Sequence, residues 1–600
     1  MAAARHSSFR GRSAYAAACV AALGLLVVAP RAQDVAPPAV LPPTVAPESA
    51  PAPTAPRWDP RYHAADEVRA LVQAWIDARL AEAITLPATR GGLAVPALQF
   101  GAEGPIALAE RPAILLLGGF DGQSLTGSET VLAITSELLG KRASLPKGVT
   151  FIAVPWASPD ALSDAFEGRS NGGRDHLPLD EDGDLAVDED PPDDVDKDGL
   201  VLDMIVEDPS GPYARAVDPR FLSPARSGDR PRYRLVREGR DDDGDGRFNE
   251  DPIGGVALDV SFPVGWSAET AESDSARPAR NAPLPLDDPL SRAIADLVLS
   301  RPTLAVLLFQ GNHGELARPG GIAATAESAR ADAAVFDELA RMFAAATGRP
   351  VQTARAVREV RGTDRRGTAL DWIHAVPGAL ALEIAAWGPE VERASDARDV
   401  GAAPARFENP ESNSKALSAP SVTAVDRAWA RWLDNTRGGI GFVDWHPVDL
   451  SDGTRALVGG WEPFSRLNAP AASLPAATAG MAAFVLKLAQ GAPRLVIETL
   501  EEKRDGDVLT LRWRVSNAGL LPTGISTLAQ GRPDHAPRTE LSLPPGARLL
   551  WGETSAVLGD LAPGSASREL TSVVLTPKGS VLGLRATSGW TAPSVLEVKP

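Results

Sequence analysis

ILLLGGFDGQSLTGSETVLAITSELL, residues 114–139, decides the fold. The aliphatic run Ile114 to Leu117 has no polar face, as expected of a strand covered on both sides. Gly118 and Gly119 then turn the chain sharply, and VLAITSELL reads as a helix. A strand, a glycine turn and a helix is where α/β proteins place ligands, at the carboxyl ends of strands. This loop offers Asp121, Gln123 and Ser124, with no nearby His to serve as a base or a ligand.

The same alternation continues outward. VTFIAVPWASPD, LAVLLFQGN and GALALEIAAWG read as strands, and DAAVFDELARMFAAAT reads as a helix. Upstream, ADEVRALVQAWIDARLAE keeps Val68, Leu71, Trp75 and Leu80 near one helical face. The pattern predicts an α/β fold with a mixed central sheet covered by helices on both faces, over residues 61–490. Gly118–Glu129, Pro155–Asp160, Gln310–His313 and Glu383 fall at strand ends. Beyond 492 the texture changes to short alternating strands and Gly/Pro turns, which predicts a C-terminal all-β sandwich over 492–600.

The N-terminus is basic and leads into AAACVAALGLLVVA, which reads as a secretory leader over 1–33, with an uncleaved anchor as the alternative. Residues 34–60 are Pro/Ala-rich and read as an extended spacer. The expected location is secreted, periplasmic or cell-envelope. Cys19 is the one cysteine and lies in the leader, so the mature chain forms no disulfide and no Cys-ligated metal site. The formal net charge of −18 argues against nucleic acid as a partner, and no later segment reads as a membrane span.

Two acidic inserts, 180–209 and 241–252, are dense in Asp and Gly. Asp194, Asp196 and Asp198 before Gly199, and Asp241, Asp243 and Asp245 before Gly246, have the alternate spacing that opens a calcium loop. Both lack the Glu at the twelfth position, where Ile205 and Pro252 stand. The alternative is a pair of solvated acidic loops.

Together these stretches resemble the zinc metallocarboxypeptidases of the carboxypeptidase A type, in a secreted bacterial form. GGFDGQSLTGSE resembles the loop Gly-Gly-x-His-x-x-Glu that carries two zinc ligands. VPWASPDAL, GVALDVSFPVGW, LLFQGNHGELARP and GTALDWIHAVPGALALEIAAWG follow in the family's order. GFVDWHPVDLSDGTRALVGGWEPF and VSNAGLLPT are similar to the modules that follow its peptidase core.

The resemblance implies zinc, but the positions it points to have changed chemistry. Asp121, Ser124 and Gln310 stand where the three zinc ligands are expected, and His313 is a possible displaced ligand. Asp259 and Val260 stand where an Asn-Arg pair would grip a terminal carboxylate, and Arg169 is a loose match to a substrate-binding Arg. The general base alone is kept, as Glu383. A hydroxyl and an amide are poor substitutes for carboxylate and imidazole, and a catalytic zinc needs three good ligands. The expectation is a degenerate, zinc-free peptidase that binds a peptide or protein ligand. The alternatives are an active carboxypeptidase with an altered zinc site, and a structural envelope protein.

Overall fold

The computed structural model describes residues 56–168, 172–178, 187, 192–241, 248, 255–266, 284–311, 316–317, 326–349, 367–388, 424–450, 453–462, 465–529 and 535–599. The leader, and the spacer as far as residue 55, lie outside the described residues, as do Arg169, Asp243, Asp245 and His313.

A seven-stranded mixed sheet forms the centre, in the order β1 (Glu82–Ala83), β2 (Leu98–Phe100), β4 (Thr150–Val154), β3 (Ala113–Gly118), β9 (Thr303–Phe309), β11 (Leu380–Ile384) and β10 (Leu316–Ala317). Strands β4, β3, β9 and β11 run parallel. The two margins are antiparallel. Every residue of β3, β4, β9 and β11 is buried. Because successive side chains point to opposite faces, both faces must be covered, as the unbroken aliphatic runs predict.

The covering helices are α1 (Ala65–Asp77), α2 (Leu125–Gly140), α3 (Pro159–Phe166), α4 (Pro289–Leu299), α5 (Ala326–Thr347), α6 (Ala369–Ala375), α7 (Ala424–Arg437), α8 (Leu474–Thr478) and α9 (Met481–Gly491). Helix α1 buries Val68, Val72 and Trp75, spaced three to four apart, so one stripe faces the core. Helix α2 is buried almost all round, since it packs on β3 and β9 and is itself covered by α8 and α9. The stretch Ala471–Gly491 does reach the length and apolarity of a membrane span, contrary to the sequence reading. Gly480 breaks it in a left-handed conformation (φ 76°), and Met481, Phe484, Val485 and Leu488 are buried in the main core. These residues make it a core element of the described fold.

A second sheet has six strands in the order β12 (Phe442–Asp449), β13 (Arg455–Trp461), β5 (Asp203–Glu207), β8 (Tyr233–Arg237), β6 (Tyr213–Arg215) and β7 (Leu222–Pro224). The acidic insert 180–209 therefore ends in a packed strand. Met204 and Ile205 alternate across β5 and are both fully buried, one in each of two small apolar clusters.

The C-terminal region holds two four-stranded sheets. One is β14 (Leu495–Asp505), β15 (Val508–Asn517), β19 (Leu570–Leu575) and β17 (Arg548–Gly552); the other is β18 (Ser555–Val557), β16 (Arg538–Ser542), β20 (Leu582–Ser588) and β21 (Thr591–Val598). Strand β15 alternates half-buried and buried residues along its length, and Leu509, Leu511 and Trp513 share one apolar cluster with Leu541, Leu582 and Leu584 of the other sheet. The connection after β15 belongs to the main core instead. Leu521, Ile525 and Ala529 pack there, and Thr527 donates to the Asp332 carboxylate of α5 through N–H and hydroxyl, at 2.7 and 2.8 Å.

Candidate functional site

The carboxyl ends of β3, β9 and β11 bring five of the sequence-predicted residues to one place. Gly119 and Gly122, both with positive φ, turn the loop after β3 back on itself and aim Asp121 at the start of α2. Asp121 Oδ1 accepts from the backbone N–H groups of Gln123 (3.2 Å) and Ser124 (3.0 Å). Its Oδ2 accepts from the Ser124 hydroxyl at 2.6 Å and from Gly311 N–H at 3.1 Å. Gly311 N–H also lies 2.7 Å from Ser124 Oγ. Asp121 and Ser124 thus lock the loop after β3 to the loop after β9.

On the other side of Gly311, the Gln310 amide donates through long contacts to Glu383 Oε2 (3.3 Å) and Asp259 Oδ2 (3.4 Å). Gln310 is only 6% exposed, Glu383 3% and Ser124 3%, whereas Asp121 and Asp259 are half-buried. Asp259 reaches the cluster from the 3-10 turn Leu258–Val260, and Val260 is half-buried on the same turn.

These residues do not fit a zinc ion. The Asp121 carboxylate is saturated by four donors, and the Ser124 hydroxyl donates its proton to that carboxylate. Gln310 presents its NH₂ between two carboxylates, so donor hydrogens stand where a cation would need lone pairs. Among the described residues, the one group of three His, Cys, Asp or Glu ligand atoms within 4.8 Å of one another lies elsewhere, at Asp194, Asp196 and Asp198.

That Asp-rich turn belongs to the second sheet. Asp194 accepts from Gly199 N–H (2.9 Å), and Glu238 closes the loop by accepting from Val195 (2.9 Å) and Leu202 (2.8 Å) N–H groups. Burial pushes the Glu238 carboxyl up to about 7, against those two bonds. His446 Nε2 sits 2.6 Å from Asp196 Oδ2. Ile205 is buried inside β5, so the missing twelfth-position ligand cannot come from there. Asp241 is described but joins no group of three.

Two polar networks were not read from the sequence. Buried His63 contacts Glu129 of α2 at 2.9 Å and Asp59 at 2.9 Å, while Trp58 Nε1 donates to Glu129 at 2.7 Å. Burial works against the charged imidazole, but the Glu129 and Asp59 carboxylates outweigh it and raise the His63 pKa. Residues 58 and 59 of the expected spacer are therefore built into the folded body. Beside them, Tyr62 and Asn468 both bind Thr126 in the first turn of α2. The second network joins Arg90, Asp175 and Asp288 behind the 3-10 turn that carries Asp259. The Ser-Pro-Asp of residues 158–160 was the available signal for its edge, where Asp160 accepts from Thr89 Oγ1 and Gly91 N–H.

No protein-family model matches the chain, and no curated protein matches it in sequence. Among solved structures it is similar to thrombin activatable fibrinolysis inhibitor, at 12% identity and a TM-score of 0.38 over 56% of this chain and 69% of that one. It is also similar to carboxypeptidase A from Helicoverpa armigera, at 12% identity and 0.37 over 54% of this chain and 64% of that one. A murein-tripeptide amidase, MpaA from Escherichia coli O157, aligns at 13% identity and 0.26 over 51% of this chain and 83% of that one.

Proposed function

We propose that the protein is a secreted or envelope-associated relative of the metallocarboxypeptidases that binds a peptide or partner and does not hydrolyse it. One observation carries this reading: Asp121, Ser124 and Gln310 are engaged in hydrogen bonds that hold the strand-end loops together, and among the described residues no group of three His, Cys, Asp or Glu ligand atoms gathers there. Without a metal, water keeps a pKa near ~15.7, and Glu383 has no activated water to deprotonate. Val260 offers no guanidinium for a substrate's terminal carboxylate, and Asp259 repels it.

The test is the zinc content of the purified full chain after dialysis against trace zinc, with release of C-terminal residues from peptides assayed in parallel. The expected result is near-zero zinc, no release, and no change on Glu383→Gln. Close to one zinc per chain, lost on Asp121→Ala, would establish the active-hydrolase alternative.

The same proposal assigns calcium to the turn at Asp194, Asp196 and Asp198, supported by the closeness of the three carboxylates. Millimolar calcium is expected to raise the melting temperature of the wild type and to leave Asp196→Asn unmoved. Identical melts with calcium and with a chelator would remove the assignment.

A further inference from the structure

We infer that residues 56–63 form a proton-operated strap: His63, protonated on both ring nitrogens, fastens this segment to α2, and loss of one proton releases it. The device is separate from the strand-end cluster and independent of any metal there.

The strap lies along α2. Trp58 N–H donates to Ser136 Oγ at 3.0 Å, and its Nε1–H donates to Glu129 Oε2 at 2.7 Å. His63 N–H donates to Glu129 Oε1 at 2.8 Å. The Tyr62 hydroxyl meets Thr126 Oγ1 at 2.8 Å and donates to the Ala469 carbonyl at 2.6 Å. Among these contacts sits the imidazole, 4% exposed. Its Nδ1 lies 2.9 Å from Glu129 Oε2 and its Nε2 lies 2.9 Å from Asp59 Oδ1.

A neutral imidazole has one N–H and one lone pair. Here both nitrogens face carboxylate oxygens, so only the doubly protonated ring donates on both sides. A neutral ring turns its lone pair toward one of the two carboxylates, and both are held in place. Glu129 is 1% exposed and is fixed by Trp58 and by the His63 N–H. The Asp59 side chain is 59% exposed, yet its Oδ2 accepts from Arg61 Nε at 2.8 Å. Arg61 is in turn forked onto both Glu67 oxygens of α1, at 2.8 Å each. The charged groups that face the ring are therefore Glu129 from α2 and Asp59 from the strap, with Arg61 and Glu67 behind Asp59. Tyr62 stays neutral, because burial pushes its hydroxyl above the usual range despite the Thr126 contact, and Arg437 of α7 lies beyond it.

In the unfolded chain a His titrates near 6.5. Burial opposes the charge in the folded protein, but Glu129 and then Asp59 outweigh it and hold the ring higher. The fastening is thus complete below about 6.5 and is lost as pH rises through the folded value. Release bares Glu129 and frees roughly 26–29 Å of extended chain ahead of the body.

The test is amide hydrogen exchange of the full chain at pH 6, 7.5 and 9, with wild type beside His63→Gln, read on the peptide over 56–62. The ratio of the two rates at each pH removes the intrinsic pH dependence of exchange. At pH 6 the wild-type strap is expected to exchange about tenfold more slowly, the worth of one hydrogen bond to a charged group. By pH 9 that difference is expected to vanish, while the β9 peptide Thr303–Phe309 stays protected. A ratio that does not change with pH overturns the inference. Loss of β9 protection in step with the strap also overturns it, since that is global unfolding. Asp59→Asn, at an exposed residue, keeps the question decidable should His63→Gln fail to fold. Its His63 ring, followed by NMR, should titrate lower than in wild type, and its strap should lose most of the pH-dependent protection. A wild-type His63 ring that titrates at or below 6.5 overturns the inference.

Discussion

Gly127→Ala is expected to destabilise the protein by about 3 kcal/mol, the upper end of the usual cost of overfilling a packed contact, because the atoms it meets cannot yield. Helix propensity alone predicts the opposite, since Ala is favoured over Gly by about 1 kcal/mol in a helix interior. The reason is the approach of α2 to the end of β9. A Cβ on residue 127 would lie 1.8 Å from the Phe309 carbonyl oxygen and 2.7 Å from its carbon. That carbonyl cannot swing aside, because it accepts from Gly119 N–H at 3.0 Å and ends a strand paired on both sides. Either the helix start or the strand end must move. Both border the site: Ser124 immediately precedes α2, and Gly311 follows β9 by two residues. The Ser124–Gly311 lock should therefore open in the same variant. Gly140→Ala, at the other end of the same helix with open space around it, serves as the control and is expected to be neutral or stabilising by up to about 1 kcal/mol. Urea denaturation of the two variants decides. A Gly127→Ala protein as stable as wild type would mean that α2 does not sit on β9 as described.

What the sequence revealed, and what it hid, follows from the range of the interactions involved. The central strands were legible because burial on both faces leaves an unbroken aliphatic run, as in Ile114–Leu117 and Thr303–Phe309. The six-stranded sheet was not. Its strands come from two segments some two hundred residues apart, and Tyr233–Arg237 is half-exposed throughout, so neither alternation nor a run marks it. The candidate site divides along the same line. Asp121, Ser124, Asp259, Gln310 and Glu383 could be named from local motifs, and the fold places them together. That Asp121 and Ser124 clasp Gly311 depends on two loops meeting across 190 residues, which no local pattern encodes. His63 was passed over for a related reason. Its partner Glu129 lies 66 residues away, on a helix whose burial on all sides comes from α8 and α9 far downstream.

Asp175→Asn is expected to make the protein more stable at pH 8 and to leave it unchanged at pH 4. Asp175 is 2% exposed; its Oδ1 accepts from Val256 N–H at 2.8 Å and Leu177 N–H at 3.2 Å. Its Oδ2 lies 3.7 Å from Arg90 Nε, which itself holds Asp288 Oδ2 at 3.1 Å. Burial first, and then the neighbouring Asp288, push the Asp175 carboxyl up to about 7, despite the bond from Val256. Other described charged groups nearby include Asp287, which also pairs with Arg90, and Asp160 and His176 beyond. In the unfolded chain an Asp titrates near 3.9, so between about 4 and 7 the folded state holds a proton that the unfolded state has released. Stability conferred by that proton is complete below the unfolded value and is lost as pH rises toward 7. A shift of three units corresponds to a ceiling of about 4 kcal/mol, and the Arg90 guanidinium 3.7 Å from Oδ2, which favours the ionised form, lowers the expectation to about 2 kcal/mol. Asparagine cannot ionise, keeps the Oδ1 acceptor for Val256 and Leu177, and offers an N–H to Asp288 in place of the proton. The buried Glu238 carboxyl gives both proteins a similar trend from a separate region, so it cancels in the difference. Melting curves of wild type and variant from pH 4 to 8 test the argument. A difference that does not change with pH, or a variant less stable at pH 8, would show that Asp175 is ionised in the folded protein and held by Arg90.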